Sequence, residues 1–309
     1  MLPQIAPSAP SSSTLLRSDW NLGAVATTGM RKVHTKTQPN NRPGSKESFG
    51  NGKKKGLPPL YSKWLVKYWL YSNRKQTCPV DHVNLSGWPI DKTVAGCVST
   101  ICKKSLSLIL NKSPGVTDQI LNRLSFLARI TLLDVTGCTE ITDVGVNIIR
   151  RHFPKLQTLS MAKCNQITRL SVSPLIKTFK NIRNYNFSGC TELTDAVMES
   201  LAYRASRPDE YVELEQLNIS QCFKLTAAGL GPFLHQCQTL IEFRLRDCSG
   251  MEGIGFAPLQ EKRQPHLLVL DIGNMSQIQD VDFAWICQGE CFVSHVSCVM
   301  CVLVLWAML

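Results

Sequence analysis

Apolar positions recur along this chain in a fixed frame. Three, five and eight residues before Cys138 stand Val135, Leu133 and Ile130, and three after it stands Ile141. The frame fits Cys164 (Leu156, Leu159, Met161, Ile167), Cys190 (Ile182, Tyr185, Phe187, Leu193), Cys222 (Leu214, Leu217, Ile219, Leu225) and Cys248 (Leu240, Phe243, Leu245, Met251). Met275 takes the anchor position in a later copy (Leu267, Leu270, Ile272, Ile278) and Ser113 in an earlier one (Leu108, Leu110, Val116), where Ser105 replaces the first apolar residue. Trp88 heads a degenerate first copy with Val80, Val83 and Leu85. Successive anchors lie 25–27 residues apart, except for the 32 between Cys190 and Cys222. Such a period, held over seven or eight copies, predicts a solenoid.

Within a copy, the alternation before the anchor predicts a short strand with one buried face. Thr-Asp follows at 117–118, 142–143 and 194–195, where the Asp is expected to cap a helix. That helix carries Val146 and Ile149 inward in one copy. A further apolar position falls eleven residues before each anchor: Cys102, Leu127, Phe153, Phe179, Tyr211, Cys237. The fold class is α/β, a curved right-handed array of strand–helix repeats.

The register also explains the cysteines. A thiol is small, burial-tolerant and a weak donor for a nearby carbonyl, so five in register serve packing rather than catalysis or metal binding. The chain has 13 cysteines, an odd number, and no recognisable signal peptide, which favours a reducing compartment, the cytosol or nucleus.

The stretches "LDVTGCTEITDVGV", "LQTLSMAKCNQIT" and "LNISQCFKLTAAGL" resemble the cysteine-containing leucine-rich repeats of F-box/LRR proteins, the substrate receptors of SCF (cullin–RING) ubiquitin ligases. The resemblance covers about residues 80–286. It implies a protein-binding receptor or adaptor in ubiquitin-dependent degradation, with a cullin-ligase adaptor among its partners. Family members carry a helical F-box before the repeats. Here "LPPLYSKWLVKYWL" at 57–70 starts with a suggestive Leu-Pro, but the later leucine, cysteine and tryptophan pattern does not follow. A repeat scaffold without a ubiquitin link, in a cytoskeletal or organelle assembly, is the alternative.

The flanks differ from the repeats. Residues 1–56 hold nine Lys/Arg against Asp19 and Glu47 and read as a disordered basic tail. Its "GKKKG" suits a solvated tail, a nuclear address or contact with an acidic partner, and its scarcity of acids gives a faint transit-peptide look. Residues 57–79 predict a capping helix with Tyr61, Trp64, Leu65, Tyr68 and Tyr71 on one stripe. Residues 287–309 are atypically hydrophobic. They fit an abnormally ended repeat with Val293, Val296 and Cys298 in frame with Cys301, a short membrane anchor at 292–309, or a zinc site at Cys287, Cys291, Cys298 and Cys301.

Residues six, four and two before each anchor point to the concave face, which solenoids commonly use to bind proteins. Its middle is neutral and polar. The expected partner-binding residues are Asp134, Asn186, Asn218, Glu242, Arg244, Arg246 and Asp271. Paired arginines can grip a carboxylate or phosphate. The six histidines fall on different copies or outside them, and no phosphate loop or H-E-x-x-H is present. The expectation is a non-enzymatic protein-binding module with no cofactor, no metal, no nucleic-acid partner and no membrane span.

Overall fold

The computed structural model describes residues 81–261, 266–279, 282 and 295–297. The chain divides into two units, Met1–Lys55 and Gly56–Leu309, and every described residue belongs to the second. The basic tail and the capping helix of 57–79 lie outside the described residues. So do the cysteines at 287, 291, 298 and 301, and the candidate anchor at 292–309 apart from residues 295–297.

Nine three-residue strands form one parallel sheet in chain order. They are β1 (His82–Asn84), β2 (Ser107–Ile109), β3 (Leu132–Asp134), β4 (Thr158–Ser160), β5 (Asn184–Asn186), β6 (Gln216–Asn218), β7 (Glu242–Arg244), β8 (Val269–Asp271) and β9 (His295–Ser297). Their central residues align in one row, Val83–Leu108–Leu133–Leu159–Tyr185–Leu217–Phe243–Leu270–Val296. Each β strand ends four residues before an anchor, and β9 keeps that count to Cys301. The ladder thus continues past residue 286.

Helices return between strands: α1 (Lys92–Ile101), α2 (Asp118–Leu124), α3 (Asp143–His152), α4 (Arg169–Thr178), α5 (Asp195–Ala205) and α6 (Ala227–Gln236), then a 3-10 turn (Gly253–Phe256) and α7 (Pro258–Glu261). This is an α/β repeat solenoid. Strands form one layer, helices the other, and the frame residues fill the space between them. The cysteine anchors and the positions three, five and eight residues before them are all buried. So are Cys102, Leu127, Phe153, Phe179, Tyr211 and Cys237 at the helix exits. Trp88 is only half-buried, although its N–H makes the anchor's turn to Leu85 O at 3.0 Å.

The anchors form a ladder of their own. Cys138 Sγ donates to Leu110 O (3.2 Å), Cys164 to Val135 O (3.5 Å), Cys190 to Met161 O (3.1 Å), Cys222 to Phe187 O (3.3 Å) and Cys248 to Ile219 O (3.2 Å). Ser113 Oγ does the same to Leu85 O at 2.7 Å. Each acceptor lies three residues before the preceding anchor, so every anchor ties its copy to the one before. The residue just before each anchor has positive φ: Gly87, Lys112, Gly137, Lys163, Gly189, Gln221, Asp247 and Asn274.

The helix starts differ from expectation. The N-caps of α2 to α6 are Thr117, Thr142, Thr168, Thr194 and Thr226, not the aspartates. A Thr in extended backbone turns its oxygen toward the N–H groups ahead, whereas the Asp after it is already helical and faces sideways. Its carboxylate reaches the next copy instead. Asp118 accepts from Thr142 N (3.0 Å) and Oγ1 (2.7 Å), and Asp143 from Thr168 N and Oγ1 (both 2.8 Å). Asp195 accepts from Thr226 N (2.8 Å) and Oγ1 (2.6 Å).

Candidate functional site

Along the strand face of the described residues, polar side chains recur from copy to copy. Its composition follows from strand geometry. Side chains alternate along each strand, so the first and third residues share one face and the central residue faces the helices. In register, the third positions read Asn84, Ile109, Asp134, Ser160, Asn186, Asn218, Arg244 and Asp271. Five of the seven expected residues are therefore in one row. Glu242 stands at the first position of β7, and Arg246 two residues beyond that strand.

The face is less open than alternation alone implies. Asp134 is 3% exposed, Asn186 8% and Glu242 6%. Parallel strands run about 4.8 Å apart, so side chains at one register position touch and close over one another. Four of the third-position side chains turn an oxygen back to their own backbone. Asp134 Oδ1 accepts from Thr136 N (2.9 Å), Asn186 Oδ1 from Ser188 N (3.1 Å), Asn218 Oδ1 from Ser220 N (3.0 Å) and Asp271 Oδ1 from Gly273 N (3.2 Å). These are Asx turns, which bend the chain from the strand toward the anchor. Thr136 Oγ1 and Ser160 Oγ hydrogen-bond across strands at 2.7 Å.

The two arginines differ. Arg244 Nε is in ion-pair contact with Glu242 Oε1, set side-on rather than along a hydrogen-bond direction. Its charge is already compensated. Arg246 lies flat on the backbone of Gly273, where a Cβ would come within 3.0 Å of its Nη2. Among the described residues no carboxylate pairs with Arg246. Half-open polar positions run along the face, at Thr136, Thr158, Asn184 and Ser188 as well as at Gln216, Asn218, Ser220, Arg244 and Asp271, and the stretch from β6 to β8 adds half-open Arg246.

One buried cation escaped the sequence reading. The 32-residue step carries extra residues around 204–211, and of these 206–210 are exposed. Arg204, however, is the next-to-last residue of α5 and only 2% exposed. It donates to Phe179 O (2.8 Å), to Ile182 O and to Val212 O (2.8 Å), with its guanidinium 5.9 Å from the Tyr185 ring centre and 5.4 Å from that of Tyr211. Burial lowers its pKa. Carbonyl oxygens and ring faces replace a carboxylate here. A helix-end arginine reads in sequence as solvated, and only the inserted residues beside it hinted otherwise.

Among the described residues, no three His, Cys, Asp or Glu side chains converge in a way that could hold a metal ion. No helix among them is long and apolar enough to cross a membrane. No family model matches the chain. A solved chain from the yeast Rad7–Elc1 complex is similar over 76% of this chain and 81% of its own length, at 13% sequence identity and a TM-score of 0.33.

Proposed function

We propose that this chain is a non-enzymatic protein-binding repeat module, serving as a substrate receptor or adaptor of an SCF-type ubiquitin ligase in the cytosol or nucleus. The observation that supports binding is the half-open strand face around β6 to β8. There a single uncompensated guanidinium, Arg246, sits among amides and hydroxyls that are already positioned by their own backbone. Such a face offers a partner one directional charge and a row of neutral donors and acceptors, without ordering cost. The ligase link rests on the resemblance of the repeat phrases alone. Affinity purification of the full chain tests it. Reproducible recovery of a cullin and its adaptor supports the ligase role. Their reproducible absence, with other proteins retained, replaces it by a scaffold role. Arg246→Ala should weaken capture of the strand-face partner several-fold while the thermal midpoint stays put. Glu199→Ala, on the exposed side of α5, should leave capture unchanged. Equal losses from both would remove the strand face from the interaction.

A further inference from the structure

The rim where helices end and strands begin carries a second pattern. Nine residues before three successive anchors stand Lys104, Arg129 and Lys155, all exposed. Lys180 follows one residue out of step, also exposed. The rim is backed by a regular backbone ladder: Thr131 N donates to Leu106 O (2.7 Å), Gln157 N to Thr131 O (2.7 Å) and Arg183 N to Gln157 O (2.8 Å). Copies therefore stack here at about the strand spacing of 4.8 Å, and the cations form a row.

No acid interrupts it from Lys104 to Lys155, whereas Lys180 lines one hollow with Asp209, Glu210 and Glu213. Between residues 100 and 183 the acids are Asp118, Asp134, Glu140 and Asp143. Asp118 and Asp143 clamp helix starts on the opposite rim, Asp134 lies in β3, and Glu140 stands two residues past an anchor on the way to α3. Among the described residues, none of the four rim cations forms an ion pair. The row stops at Arg183, which pairs with Glu215, and beyond it the same rim turns acidic at Asp209, Glu210 and Glu213. Cations in the last turn of a helix complement its dipole. That does not account for Lys104, Arg129 and Lys155, which stand past the helix ends. A stack of like charges at this spacing is mutually repulsive, and an anionic partner relieves the repulsion.

We propose that this rim, over the copies anchored at Ser113, Cys138 and Cys164, is a second docking surface, separate from the strand face, for an acidic polypeptide segment. The row is short and spaced for side chains rather than for a polynucleotide. Single-stranded nucleic acid is held by stacking rings as well as charge, and among the described residues this rim offers few, Phe126, 72% exposed, and the imidazole of His152.

The test measures binding of a fluorescein-labelled oligoglutamate peptide, and of a single-stranded oligodeoxynucleotide, to the full chain at low salt. The Arg129→Glu/Lys155→Glu variant is compared with a control on the opposite rim, Lys92→Glu/Arg169→Glu, which changes the net charge equally. The rim variant should bind the peptide roughly tenfold more weakly, equivalent to about 1.4 kcal/mol. The control should change it less than about twofold, and salt should weaken the wild-type complex. A neutral pair, Arg129→Gln/Lys155→Gln, should lose binding in the same direction, and serves if the reversed charges disturb folding. Equal losses in rim and control variants, or none in the rim variant, overturn the proposal by leaving the attraction to net charge or to the basic tail. Tighter, rim-dependent binding of the oligonucleotide overturns it in favour of a nucleic-acid surface.

Discussion

Cys190 is fully buried, with its Sγ 3.1 Å from the carbonyl oxygen of the preceding copy. Burial pushes its thiol up to about 12 and those of Cys138 and Cys248 up to about 11. In the unfolded chain such thiols ionise near pH ~8.5. Between about pH 8.5 and 11 the unfolded chain therefore gives up protons that the folded chain retains, and stability falls as pH rises; below that window the contribution is fully present. Urea midpoints at neutral and alkaline pH should show this loss, and equal midpoints would contradict it. At neutral pH, among the cysteines of the described residues, a thiol reagent should label half-buried Cys97 before the others and reach Cys138, Cys164, Cys190, Cys222 and Cys248 only after unfolding. Cys190→Ser keeps a donor, as Ser113 does naturally, and should cost about 1 kcal/mol. Cys190→Asp buries a charge with no cation beside it and should cost at least about 3 kcal/mol. The frame around these anchors was legible because buried positions must repeat with the copies. The destination of the polar side chains was not. Alternation places Asp134 and Asn186 on the strand face, but only strand spacing decides that they close over and serve a turn.

Between helices, the clamp from one copy to the next needs room. Adding a Cβ to Gly145 would place it 2.3 Å from Asp118 Oδ1, and at Gly229 2.7 Å from Asp195 Oδ1. At the matching position after Asp143 stands Ser171, whose hydroxyl joins the clamp. Where the residue after the cap is Lys92 or Arg169, the next helix carries Ile120 or Val197 instead. Thr194, which follows Arg169 by one copy, has no side-chain cap hydrogen bond. Gly145→Ala should therefore destabilise by about 1–3 kcal/mol despite alanine's better helix propensity. Adding Asp118→Ala should recover part of that loss, so the double variant unfolds at a higher urea midpoint than the sum of the singles gives. Simple additivity would dismiss the clamp. Although burial pushes the Asp143 carboxyl up, its bonds from Ser171 and Thr168 hold it below the usual carboxylate range. A depressed acid stabilises above the unfolded pKa of about 3.9 and loses that contribution as pH falls through its own lower value. Ser171→Ala should shrink this acid-side loss. A Thr-Asp pair at a helix start was legible as a cap. Which of the two caps depends on which residue is still extended, and sequence alone does not distinguish them.

Across the array, the 32-residue step is where two copies meet over an insertion, and Arg204 holds the seam by reaching carbonyls on both sides. Arg204→Met leaves two buried carbonyl oxygens and one part-buried one without this donor, and should cost about 2–4 kcal/mol. Limited trypsin digestion should then cut at Arg207 faster than in the wild type, and an unchanged rate would show that the seam is held otherwise. The order of the copies and seven or eight of them were legible from the period, whereas the ninth strand, in a stretch that also fitted an anchor or a zinc site, was one reading among several. The seam was not, because an insertion breaks the frame at the place where the compensating contact is made. A last consequence lies in the left-handed turns before the anchors. A Cβ on Gly137 would lie 3.1 Å from Lys112 Cγ, and one on Gly189 3.0 Å from Lys163 Cγ, so each lysine there leans on a glycine in the following copy. Farther along, Gln221, Asp247 and Asn274 sit next to one another by hydrogen-bonding instead, at 3.3 and 2.9 Å. The first half of the solenoid is thus built in couples. Excising only the copy that contains Gly137 would seat Lys112 against Lys163, while excising the copies of Gly137 and Lys163 together would seat Lys112 against Gly189. Lengthening or shortening this half without strain proceeds two copies at a time.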